Sequence, residues 1–204
     1  MLSSTNPRNW AYTTRLNFMA IVDVLIPSIV RTSPSGWTFQ YGGVDLYVWE
    51  YLLMLFDNLP TPLASETSQL LDLSAFYEYQ ERYNLLSAYS FPPCNGLFST
   101  LPRKDRLMAI DRLHNLQVPL DTLPVPYQNN PVLIRIMIDS IYQLTYFGYY
   151  SEWFGYGDTR CNPPSFRQLR TYPISWTYTG YPGPSFGYRD FRGFLLKMQN
   201  LKSE

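Results

Sequence analysis

Apolar side chains recur along this chain at helical spacing. Phe18, Ile21, Val22 and Leu25 form the first run, with Thr13 and Thr14 placed to cap a helix and Pro27 placed to end it. The Pro- and Gly-bearing stretch 27–43 reads as loop. From Val44 to about Leu59, just before Pro60, the chain is apolar nearly all round, with Trp49, Leu52, Leu53 and Phe56 on one side. Such a helix is expected to be buried, near the centre of a bundle. Ser65 and Glu66 open a third, more polar helix in which Leu73, Phe76, Tyr79, Tyr83 and Leu86 recur up to Pro92-Pro93.

A fourth helix is expected after Ser99 or Thr100, where Pro102 pre-sets the first turn. It carries Leu107, Ile110 and Leu113 inward and leaves Arg103, Lys104, Asp105, Arg106 and Asp111 to solvent. After a Pro-rich connector, 121–131, Asn129 or Asn130 with Pro131 begins the most regular run: Ile134, Ile138, Ile141, Tyr142, Thr145 and Tyr149. Beyond Phe147 the period is lost and aromatic, Gly and Pro residues take over. Disordered segments are poor in aromatics, so this stretch reads as an ordered tail laid over the helices. The fold expected is mainly α: a single domain with a bundle of about five helices over 1–150 and a long Pro/Gly/aromatic C-terminal loop region, 151–204, packed on it.

Composition narrows the function. Lys plus Arg equals Asp plus Glu, 16 each, so no global field gathers phosphate backbones, and nucleic-acid binding is not expected. The apolar run Phe18–Ile26 contains Asp23 and stops at Pro27, too short to insert in a bilayer. The start, Met1 to Trp10, has no basic region followed by an apolar core, and Arg8 and Arg15 stand apart, which points to a cytoplasmic location. Two cysteines, Cys94 and Cys161, can make one bridge at most; in a reducing compartment they stay as thiols.

Candidate chemistry is sparse. His114, the only histidine, falls at the end of the fourth helix, where a cation suits the helix C-terminus better than it suits catalysis without a nucleophile. Cys94, His114 and Cys161 lack the close spacing of a metal site. Glu78, Glu81, Asp105 and Asp111 fall at helical phases expected to be solvated. Gly180, Gly183 and Gly187 are interleaved with Pro182 and Pro184, which does not cradle a pyrophosphate. No catalytic, cofactor or metal residue is therefore assigned, and the chain is not expected to catalyse a reaction alone.

The tail offers a different role. With 18 Tyr and 17 Pro the chain is rich in residues that give large contact area at little entropic cost. Gly180, Pro182, Gly183 and Pro184 make a stiff turn, and Tyr178, Tyr181, Phe186 and Tyr188 surround it, with Arg189 able to bond a carboxylate or carbonyl. Together with Tyr149, Tyr150, Trp153 and Trp176 these residues are the candidate partner-binding set. Tyrosine serves a core as well as an interface, so the same rings can instead pack the tail against the fifth helix.

Several ordered features resemble the gluconate 2-dehydrogenase subunit 3 family: an early helix ending at Ile26-Pro27, a helix after Gly42-Gly43-Val44-Asp45, a Leu107-to-Leu113 helix after Phe98 to Leu101, and a helix closing on Phe147 to Ser151. The most specific piece is Trp176-Thr-Tyr-Thr-Gly-Tyr-Pro-Gly-Pro184, followed by Gly187-Tyr188. The resemblance implies a small helical subunit that stabilises, or assists the maturation of, a large FAD-dependent sugar or alcohol dehydrogenase of the glucose-methanol-choline type, often with a cytochrome subunit. FAD and the catalytic base would then belong to the partner. Many such subunits carry a twin-arginine signal, which this N-terminus lacks; export with the partner is the alternative to a cytoplasmic complex. Against this stands an independent carbohydrate-binding or interaction module, with Trp153, Trp176 and Tyr181 stacking on sugar rings.

Overall fold

The protein is described by a computed structural model covering residues 10–34, 36–82 and 95–183. Cys94, the expected stop at Pro92-Pro93, Tyr83 and Leu86 lie outside these residues, as do Pro184, Phe186, Tyr188 and Arg189. The fold is mainly helical. Among the described residues five long helices, α1 (Tyr12–Leu25), α2 (Val48–Asp57), α3 (Ala64–Arg82), α5 (Arg103–His114) and α6 (Pro131–Tyr150), are joined by two short ones, α4 (Leu97–Thr100) and α7 (Ile174–Thr179). Two strands, β1 (Ile29–Ser33) and β2 (Gly36–Gln40), pair antiparallel.

The helix expected to be central gives way to α1, which packs on α2, α3, α4, α5 and α6. Phe18, Ile21 and Val22 on α1 are fully buried in one hydrophobic core that also takes Leu52 and Leu53 of α2, Leu70 and Leu71 of α3, and Ile134, Ile138 and Ile141 of α6. Its start differs from expectation too: Ala11 precedes the helix and makes no side-chain cap. By contrast α6 begins as read, with Asn130 accepting the Leu133 N–H at 3.1 Å and Pro131 in the first position.

α2 begins four residues later than its apolar run because residues before it form a tight crossing. Gly43 donates to the Ile26 carbonyl at 2.8 Å, and a Cβ on Gly42 would lie 2.4 Å from the Ser28 backbone nitrogen. Tyr47 then takes a left-handed turn, φ 57°, into the helix. The stretch 27–43, read as loop, contains the hairpin.

Two acidic residues expected in solvent are buried. Glu78 turns inward on α3 and pairs with Arg112 of α5 at 3.1 Å, while Tyr79 is the exposed neighbour. Asp105 is buried in the first turn of α5, and Leu107 is exposed in its place. The phase of each helix is set by the neighbours it meets, and the Glu78 carboxylate is buried with the Arg112 guanidinium as its partner.

A buried polar knot fixes the short α4. The Asp72 carboxylate accepts from the Gly96 N–H at 2.8 Å, the Phe98 N–H at 2.9 Å and Asn17 Nδ2 at 2.9 Å. Asn17 in turn accepts from the Ser99 N–H at 3.1 Å. Burial pushes the Asp72 carboxyl above the usual carboxylate range, against the pull of these donors. Its partners are all donors that need an acceptor, so its role is to hold the chain.

Candidate functional site

The C-terminal half of α6, the segment after it and the foot of the hairpin converge on one side of the bundle. α6 turns its Ile134, Ile138, Ile141, Thr145 and Tyr149 stripe into the core and leaves Tyr146, Phe147 and Tyr150 outside. Gly148 permits the approach of α2: a Cβ there would lie 2.6 Å from the Tyr51 ring. Phe147, 63% exposed, stacks against Tyr51 at 6.1 Å.

Residues 151–183 are held to this frame by their indoles. Trp153 Nε1 donates to the Tyr47 carbonyl at 2.8 Å, and its ring meets Tyr51 edge-on at 5.4 Å. Trp176 Nε1 donates to the Tyr150 carbonyl at 2.7 Å. Trp153 and Trp176, with Tyr149, are at most 3% exposed. Arg160 adds a half-buried ion pair to Glu50 at 3.2 Å and lies 4.0 Å over the Tyr47 ring; burial is the main reason the Glu50 carboxyl is pushed up. Cys161 sits half-buried nearby, its thiol pushed up by burial and then by Glu50.

Tyrosine hydroxyls tie the hairpin foot to the helices. The Tyr41 N–H donates to the Tyr178 hydroxyl at 3.1 Å, and the Tyr149 hydroxyl donates to the Tyr41 carbonyl at 2.8 Å. Burial, then the neighbouring Tyr178, pushes the Tyr149 phenol up to about 12. Phe39 packs edge-on against Tyr41 at 4.9 Å, and Tyr149 edge-on against Tyr150 at 5.0 Å. The exposed rings Trp37, Phe39, Tyr41, Tyr178, Tyr150 and Phe147 thus follow one another over the hairpin and helices.

Between α6 and α7 runs an open groove of about 1020 Å³. Tyr146, Phe147 and Tyr150 form one wall; Trp176, Tyr181 and Pro182 form the other. Gln143 and Glu152 also line it, and among the described residues Glu152 is the one charged side chain there. This lining suits an apolar or aromatic contact. No family model, no characterised protein and no solved structure matches this chain.

Of the sequence-predicted set, Tyr149, Trp153 and Trp176 are the buried anchors of the tail. Tyr150, Tyr178, Gly180, Tyr181 and Pro182 are exposed, and Gly183 is half-buried against Trp176. Pro184, Tyr188 and Arg189 lie outside the described residues, and with Cys94 outside as well, no pairing with Cys161 is described. His114 is at the C-terminal end of α5, 3.6 Å from Asp139 and half exposed. Among the described residues no cluster of three His, Cys, Asp or Glu could hold a metal, and no helix is long and apolar enough to cross a membrane.

The candidate partner-binding set left out Trp37, Phe39, Tyr41, Tyr146 and Phe147, which are exposed on the same side. The signals were present: an apolar alternation on either side of Ser33-Pro34-Ser35-Gly36, and aromatic residues off the core stripe of α6.

Proposed function

We propose that this chain is a non-catalytic small subunit that docks on and stabilises a larger protein through the aromatic side of the molecule. The observation that carries this reading is the run of exposed rings from Trp37 to Phe147, continued into the groove by Tyr146 and Tyr181. Solvent-exposed aromatic surface on this scale is an interaction site or an aggregation liability, and buried indole anchors hold it in shape before a partner arrives. The resemblance of Trp176 to Pro184 and of Phe147 to Ser151 to gluconate 2-dehydrogenase subunit 3 supplies the partner: a large FAD-dependent sugar or alcohol dehydrogenase of the glucose-methanol-choline type, with a cytochrome as a further member. FAD resides in that partner, and the complex works in the compartment where the partner resides.

Co-expression with a flavoprotein of that type from the same cells tests the reading. The expected result is a yellow complex retained on the tagged chain, lost when Tyr150 and Tyr181 are both changed to Ser. A colourless chain that purifies alone, from its native cells as well, overturns it. The carbohydrate-binding alternative retains one support, the exposed rings of Tyr150 and Tyr181 beside Gln143 and Glu152. The two indoles it relied on, Trp153 and Trp176, are buried.

A further inference from the structure

The hairpin joins this surface in an unusual state. Its register runs without a bulge from Ile29 opposite Gln40 to Ser33 opposite Gly36. The two residues between Ser33 and Gly36 make that closing pair a hydrogen-bonded one. By alternation Arg31 with Thr38 and Ile29 with Gln40 bond inward, while the N–H and C=O groups of Trp37 and Phe39 point outward along β2. The next outward pair on the same edge belongs to Tyr41, and both its groups are already met by the Tyr178 and Tyr149 hydroxyls. Among the described residues nothing outside the hairpin meets those of Trp37 and Phe39.

The side chains agree with the edge. Val30 with Phe39 and Thr32 with Trp37 are cross-strand pairs on one face, and among the described residues nothing covers that face, with Trp37 79% exposed. A two-stranded ribbon is marginal alone in water. Exposed edges are ordinarily blunted by Lys, Pro or a bulge, and β2 has none of these. Arg31, the one charged residue between Pro27 and Asp45, is on the opposite, polar face.

We propose that the β2 edge accepts an extended segment of a partner protein as a third strand. The segment alternates: apolar side chains extend the Trp37 and Phe39 face, and polar side chains including a carboxylate extend the Thr38 and Arg31 face. The strand ends where the tyrosine hydroxyls cap Tyr41. This deepens the docking reading and rests on it only for the identity of the partner.

The test uses the full chain and a random peptide library displayed on phage. The selected peptides are expected to alternate apolar and acidic residues. In the wild-type chain saturated with such a peptide, amide exchange at Trp37 and Phe39 slows by at least about tenfold while that at Val30 and Thr32 is unchanged. Proline is tolerated where an edge N–H faces solvent, so Phe39→Pro removes the outward donor that Phe39→Ala keeps. Binding weakens by about tenfold more in the proline variant. A library that yields no binder, or peptides that bind without slowing exchange at Trp37 and Phe39, overturns the proposal. A flavoprotein that co-purifies while those amides stay fast removes strand addition and leaves docking; peptides that protect them without any flavoprotein partner do the reverse.

Discussion

Tyr127 is among the largest fully buried side chains, and its hydroxyl meets that of Thr67 at 2.7 Å. Burial pushes its phenol from the ordinary value of 10.0 up to about 12. A group whose pKa is raised on folding contributes stability that is fully present below its unfolded pKa and is lost as pH rises through the folded one. Replacing Tyr127 with Phe strands the Thr67 hydroxyl and should cost about 1–2 kcal/mol at neutral pH. That gap between wild type and variant should narrow across the window from pH 10.0 to about 12, which urea unfolding at a series of pH values measures. A gap that widens over the same window would contradict the assignment. Nothing in the one-dimensional pattern marks Tyr127, because it lies in the Pro-rich connector and is buried by α3. The polar knot of Asn17 and Asp72 was equally hidden: both residues sit on helices where a solvated phase was as consistent with their neighbours in sequence.

At the scale of elements, the five long helices and the buried stripes of α1, α2 and α6 were legible, whereas the phase of α3 and of the N-terminal half of α5 was not. α6 was readable to the residue at its start, since Asn130 and Pro131 act locally on the first turn. On α3 the spacing picks out Leu73, Phe76 and Tyr79 as the packed stripe, whereas Leu70, Leu71, Ala75 and Glu78 face the core. The rotation of a helix about its axis is decided by which neighbours it meets, and α3 meets α1, α4 and α5 together. Gly148 shows the same dependence. Alanine there would gain about 1 kcal/mol of helix propensity, yet its methyl would lie 2.6 Å from Tyr51 and 3.1 Å from Val48. We expect Gly148→Ala to destabilise the protein by about 1–2 kcal/mol net, read as a shift in the urea midpoint with an unchanged slope. A stabilised variant would mean that α2 and α6 can move apart freely.

For the whole molecule, the aromatic surface implies a concentration-dependent monomer. Sedimentation of the isolated chain should show self-association that Trp37→Ser with Phe147→Ser suppresses, at a stability cost within about 0.5 kcal/mol per site. A wild-type chain that stays monomeric at high concentration would weaken the case for an exposed contact surface. What the sequence by itself determined was helical class, the thin catalytic inventory and the presence of an aromatic-rich tail, because these depend on residue type and on spacing within one turn. Only the tertiary structure decided which rings are anchors and which are contacts. Trp153, Trp176 and Tyr149 are drawn inward because an indole N–H or a phenol finds a carbonyl to bond at the tail's crossing with α2, α6 and the hairpin foot. Trp37, Phe39 and Phe147 have the same apolar character but are exposed, with no described element over them. Burial is a property of the neighbours a fold supplies, so equal side chains in the sequence became unequal in space.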